Sequence, residues 1–197
     1  MAPDLPIPPG GALSFRLVRH GSEIGRHSVA FDARSDAVTV RVAVSATVRL
    51  LSVPIVRYVH TAEEEWRGGS LAAMRAETDK NGRRQWASGS RGSAGFAVQG
   101  SQTAPYVAPE PAIATSYWNR RMIEGPMIST EDGVLLRPTV AVARAERIPD
   151  AAGGTILADR YSLRGAFDVD VWYDRDGVWA GLSFDAADGS TVRYERL

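Results

Sequence analysis

Between Val38 and Leu50 the chain alternates without a break. Val38, Val40, Val42, Val44, Ala46, Val48 and Leu50 are apolar, while Thr39, Arg41, Ala43, Ser45, Thr47 and Arg49 stand between them. Period two sends alternate side chains to opposite faces of a strand, so this segment predicts a long strand with one buried and one wetter face. A helix would scatter the same valines around its circumference. A strand this long needs partners on both sides, which commits the chain to a large sheet.

Shorter runs with the same period flank it. Leu13 to Leu17 and Ile24 to Phe31 surround the turn His20-Gly21-Ser22-Glu23, and Ile55 to Trp66, Leu71 to Thr78, Arg84 to Ser90 and Ala94 to Gln99 follow the long strand. Asn81-Gly82 is the strongest hairpin turn, because both residues tolerate the positive φ that a two-residue turn requires. The pattern resumes at Val134 to Arg147, Ile156 to Leu163, Phe167 to Tyr173, Val178 to Phe184 and Thr191 to Leu197. The expectation is a mainly β, antiparallel fold of about eleven strands. Between the halves, Pro105, Pro109 and Pro111 predict a loop, and Ala112 to Ile123 predicts one short helix ended by Gly125-Pro126.

At 197 residues the chain suits a single domain, expected over 12–197 behind an extended, Pro-rich leader over 1–11. Such a leader fits a mature exported protein whose signal peptide has been replaced by Met1, with a cytoplasmic protein as the alternative. Lys plus Arg equals Asp plus Glu at 23 each, so no global field attracts nucleic acid or an anionic membrane. No apolar run reaches the roughly 20 residues of a membrane-spanning helix. The absence of cysteine removes thiolate nucleophiles and Cys-ligated zinc. Lys80, the only lysine, sits in a turn where its amine is solvated. Ser90 and Ser93 each lack one glycine of a nucleophile elbow. His20, His27 and Glu23 have no spacing that fixes a metal geometry. In Glu63-Glu64-Glu65, period two points either Glu64 alone or Glu63 and Glu65 together toward the core. Nothing in the chain calls for a cofactor.

The aromatic residues remain. Trp66, Trp86, Trp118, Trp172 and Trp179, with Tyr58, Tyr117, Tyr161, Tyr173 and Tyr194, combine large apolar area with a polar tip, which suits either a packed core or an apolar cavity with a few hydrogen bonds. Strand parity places Trp179 on the face opposite Val178, Ala180 and Leu182.

The succession Tyr58-x-His60, Glu65-Trp66-Arg67-x-Gly69-x-Leu71, Thr78-Asp79-x-Asn81-Gly82, Thr115-Ser116-Tyr117-Trp118-Asn119, Trp172-Tyr173-Asp174, Gly177-Val178-Trp179 and Asp188-Gly189-Ser190 before Tyr194 resembles an uncharacterised family of exported bacterial β-rich proteins. That family is itself similar to the half-barrel fold of the bacterial lipoprotein carriers. The resemblance implies a periplasmic or secreted location and a curved antiparallel sheet, a half-barrel or incomplete barrel, with the helix near its concave face. The expected function is non-catalytic binding of an apolar or amphiphilic, lipid-like ligand. Trp66, Trp86, Tyr117, Trp118 and Trp172 are expected to line the site, with Asn119 and His60 as polar anchors. Two alternatives accompany it: a hydrolase or lyase using His60 with Glu65 or Asn119, and an envelope protein that binds a protein partner through a sheet edge.

Overall fold

The computed structural model describes residues 5–50 and 53–197. In chain order the strands are β1 (Ala12–Arg19), β2 (Ser22–Ala33), β3 (Ala37–Leu50), β4 (Val53–Arg67), β5 (Ser70–Lys80), β6 (Arg83–Gly92), β7 (Gly95–Gly100), β8 (Thr103–Ala108), β9 (Ile113–Ala114), β10 (Met127–Ile128), β11 (Leu135–Leu136), β12 (Thr139–Pro149), β13 (Thr155–Arg164), β14 (Val169–Asp174), β15 (Trp179–Asp185) and β16 (Thr191–Arg196). Thirteen of them form one open antiparallel sheet in the order β12-β13-β14-β15-β16-β1-β2-β3-β4-β5-β6-β7-β8. The chain therefore runs as two meanders that join where β1 pairs with β16. Residues 5–11 of the expected leader precede β1, with Leu5 and Ile7 packed against the core; the first four lie outside the described residues.

The register carries the alternation of β3 across the sheet. Val42 stands opposite Val29 on one side and Ala62 on the other, and Ala62 opposite Ala76. Residues that face each other in register share a face, so each buried residue of β3 extends a buried row. Buried residues from β13 through β7 belong to a single core, so the sheet curls around its apolar side. Asn81 and Gly82 both have positive φ, at 56° and 84°, as the expected hairpin turn requires.

The fold departs from the sequence reading in four places. The main sheet holds thirteen strands rather than about eleven. One of the additions is β8, where Pro105 suggested a loop; β8 is an edge strand, and an edge tolerates the missing N–H of proline. The stretch Val134 to Arg147 divides at Arg137-Pro138 into β11 and β12. The helix expected over Ala112 to Ile123 is absent. Ala112, Ile113 and Ala114 are buried in succession, in extended backbone, and only Arg120–Glu124 coils, as a 3₁₀ turn. Ile113, Thr115, Tyr117 and Trp118 are weak helix formers, and Pro109 and Pro111 hold the approach extended. Fourth, Trp179 faces the core: a register shift between Trp172 and Tyr173 places it opposite Tyr173, and it is fully buried.

Residues 109–138, between β8 and β12, cross the apolar face of the sheet. Here β9 pairs parallel with β10, which pairs antiparallel with β11. Trp118, Met122, Met127 and Ile128 are fully buried from this segment, so it fills the curl of the sheet. It meets the sheet backbone to backbone at Gly100, where an added Cβ would stand 2.0 Å from the Asp132 carbonyl oxygen and 2.7 Å from the Gly133 Cα. Neither backbone can yield without separating the two, so Gly100→Ala should lower stability by about 2 kcal/mol or more. Gly92→Ala, with nothing within 4 Å of the added carbon, should be nearly neutral. Urea midpoints of the two variants check this.

Candidate functional site

On β4, Tyr58, His60, Ala62, Glu64 and Trp66 alternate along the concave face and form a stripe down the inner wall. Glu64 is the inward member of the Glu63-Glu64-Glu65 run and is 1% exposed. Its Oε2 accepts hydrogen bonds from the indole N–H of Trp66 at 2.7 Å and of Trp118 at 3.1 Å. The two indoles meet edge to face, with centroids 5.3 Å apart, and Trp118 meets Phe31 of β2 in the same way. Burial raises the Glu64 carboxyl above its ordinary range, against the lowering effect of the neighbouring Ser116 hydroxyl and the two indoles. Among the described residues no donor reaches Oε1 in hydrogen-bond geometry.

The other end of the stripe is also polar. The His60 ring lies 2.8 Å from the Thr78 hydroxyl through Nδ1 and stacks on Tyr58. The Tyr58 hydroxyl donates to exposed Glu131 of the crossing segment at 2.7 Å. His27, opposite Val44 on β3, is enclosed by Phe15, Trp179 and Tyr194, and neither of its ring nitrogens has a partner among the described residues. Burial lowers His27 to about 3, with a smaller contribution from His60, and lowers His60 to about 4. Burial raises the hydroxyls of Tyr117 and Tyr194, with Glu131 adding to both. Burial thus favours the neutral form of both histidines and of these tyrosine hydroxyls, while exposed Glu131 stands at the mouth.

Tyr117 enters this cluster in left-handed backbone, at φ 64°, which a bulky residue adopts only where its surroundings hold it. Its ring stacks on Trp179, and its carbonyl accepts from the Tyr173 hydroxyl at 2.7 Å.

Of the residues expected to line one site, the structure places Trp66, Trp118, Tyr117 and His60 on the concave side. Asn119 is buried beside them, where its Oδ1 caps the 3₁₀ turn by accepting from the Arg121 N–H while its Nδ2 has no partner. Trp86 and Trp172 lie on the opposite face. Trp86 stands opposite Glu77 and is 44% exposed, and the Trp172 indole donates to Glu146 at 2.9 Å. The alternation of β6 and β14 puts both outward, a consequence of parity that residue type alone did not reveal. His60 and Glu65 also point to opposite faces, so the proposed acid–base pair is not assembled. Asn119 is committed to its cap.

Sequence reasoning missed Glu64 as the residue that joins the two indoles, and missed the convergence of Tyr58, Tyr194 and Glu131. The signal for Glu64 was present, since it shares strand parity with Trp66. Glu131 gave none, because only the course of the crossing segment brings it to Tyr58.

The chain belongs to the domain family DUF6134, a domain of unknown function, which matches residues 15–197. No curated protein and no solved structure matches it, so the expected likeness to the lipoprotein carriers has no support from a solved fold.

Two pH effects follow. Glu64 has a raised folded-state pKa, so its contribution to stability is complete below the ordinary carboxylate range and is lost as pH rises through the raised value. Glu64→Gln, which stays neutral and keeps an acceptor for both indoles, should match the wild-type urea midpoint near pH 5 and exceed it near pH 8. Glu64→Ala strands two buried N–H donors and should cost about 2–4 kcal/mol at either pH. The histidines act in the opposite direction. Their folded-state values are lowered to about 3 and about 4, so stability is complete above about 6.5 and falls with pH toward those values, by up to about 1.4 kcal/mol per pH unit for each ring. His27→Phe should flatten this acid limb, and a variant whose midpoint falls as steeply as wild type between pH 7 and pH 4.5 would contradict the assignment.

Proposed function

We propose that the protein is an exported, non-catalytic binding protein of the periplasm or the extracellular space, which takes an apolar or amphiphilic, lipid-like ligand on the concave face of a half-barrel. On this reading residues 109–138 occupy the half-barrel when no ligand is present and move aside for one. The observation that carries the reading is the set of buried polar atoms on that face left without partners among the described residues: both His27 ring nitrogens, Glu64 Oε1 and Asn119 Nδ2. A finished core pairs its polar groups, because each unpaired one costs about 1–3 kcal/mol. An amphiphile would contribute the missing partners through its polar group and cover the valines of β3 with its chain. The left-handed Tyr117 fits a segment held under strain at the point where it must release.

A protein partner at a sheet edge is favoured by one further feature. The edge strand β12 is exposed over most of its length, and Val140 and Val142 are 38% and 49% exposed on the concave side.

The test is native mass spectrometry of the protein purified from its own host, together with titration of N-phenyl-1-naphthylamine. The expected results are a retained amphiphile in the first and saturable binding in the second. Trp118→Ala removes the indole that packs between Trp66 and Phe31 and should change the probe affinity about tenfold, equivalent to about 1.4 kcal/mol. Trp172→Ala, on the outer face, should leave it unchanged. Bare protein together with no probe binding by wild type or Trp118→Ala would overturn the proposal.

A further inference from the structure

The outer face of β4 to β8 carries a groove of about 660 Å3, well within the size range of small-molecule sites. Its floor and walls follow from the register. One lateral row across four strands is polar: Glu63, Arg75, Ser88 and Gln99 stand opposite one another in turn. The next row is small, with Ala73, Ser90 and Ala97 in register, and it ends at Val107. Small side chains beside long ones make a trough. Between the two rows on β6, Gly89 lets the Phe96 ring pack closely beneath the groove; an added Cβ would stand 2.4 Å from that ring.

On the other side of the polar row stands Trp86, opposite Glu77. Among the described residues it is the one exposed tryptophan, at 44%, on a face where the neighbouring side chains are polar or small. Among the described residues no acceptor holds its indole N–H, and the side chains of Arg75, Glu77, Ser88 and Gln99 make no hydrogen bond or ion pair with one another. Trp86 and Ser90 are four residues apart on β6, about 13 Å at strand spacing.

From this arrangement we infer that the outer groove is a binding site for a carbohydrate chain. The C–H face of a pyranose is weakly apolar and positively polarised, which suits the negative face of an indole. Its vicinal hydroxyls match the amide of Gln99, the guanidinium of Arg75, the Ser88 hydroxyl and the Glu77 carboxylate, each able to make paired or bridging hydrogen bonds. The small row beside them leaves room for the next sugar. Glu63 and Glu65 are partly balanced by Arg41 and Arg67, at 2.9 Å and 3.6 Å, which favours a neutral polysaccharide over a charged one. An extended peptide added to the neighbouring edge is disfavoured by Pro105, which offers no N–H on β8.

The site lies on the face opposite the proposed amphiphile site and does not depend on it. Native gels containing dextran, glycogen, laminarin, xylan or galactomannan test the inference with the full chain. At least one polysaccharide should retard the wild-type protein. Trp86→Ala should abolish the retardation and Trp86→Tyr should retain it. Arg75→Ala combined with Gln99→Ala should weaken it at least tenfold, all with urea midpoints and N-phenyl-1-naphthylamine binding unchanged. The same mobility in every gel as in the polysaccharide-free control overturns the inference. So does retardation that persists undiminished in Trp86→Ala.

Discussion

One buried carboxyl oxygen joins the two parts of this molecule. Glu64 Oε2 takes the indole hydrogens of Trp66, from the wall of the sheet, and of Trp118, from the segment that crosses it. A charge at this depth would cost far more than two hydrogen bonds return, so the carboxyl is stable here in its neutral form. Neutral, it is an acceptor that lets two large indoles sit in an apolar interior without unpaired donors. Other ties hold the segment along the rest of its course, among them Tyr173 to the Tyr117 carbonyl, Tyr58 to Glu131, Tyr106 to the Gly133 carbonyl and Arg121 to the Gly69 carbonyl.

The need for such a segment arises from the sheet. Thirteen strands in one antiparallel order generate a large apolar face, and the sheet remains open between β12 and β8. An open curl cannot leave that face in water. The connection between the two edges is also the element that fills the curl, which makes the filler continuous with both edges yet only lightly built: its own strands are two residues each and its coil is a single 3₁₀ turn. Elements with little internal hydrogen bonding open before sheets do. The proposed function makes use of that difference.

The alternation of β3 and the Asn81-Gly82 turn were readable because each rests on local rules, parity in one case and positive φ in the other. Parity also held the signal for Glu64, which shares it with Trp66, although the run Glu63-Glu64-Glu65 alone left open which members point inward. Reading stopped where tertiary context takes over. Trp179 turned inward because of a bulge, which sets no composition signal, and β8 accepted Pro105 because it lies at an edge, a fact of topology. The crossing segment looked helical from its two ends, at Thr115 and at Gly125-Pro126, whereas its buried run from Ala112 to Ala114 is extended. Trp66 and Trp118 were singled out by their bulk, and both are buried on the concave side. Trp86 and Trp172 have the same bulk and face the other way.

The central claim is that residues 109–138 are a displaceable filler of an apolar, ligand-binding face. Hydrogen–deuterium exchange across the chain, with and without a saturating fatty-acid amphiphile, tests it most directly. The account predicts that the amides of Thr115, Trp118 and Thr130, which are bonded within or near the segment, exchange together and faster than those of β3 and β4, and faster still when the amphiphile is bound. Exchange of the segment and the central strands at one common rate, unchanged by the amphiphile, would show an ordinary core and contradict the account.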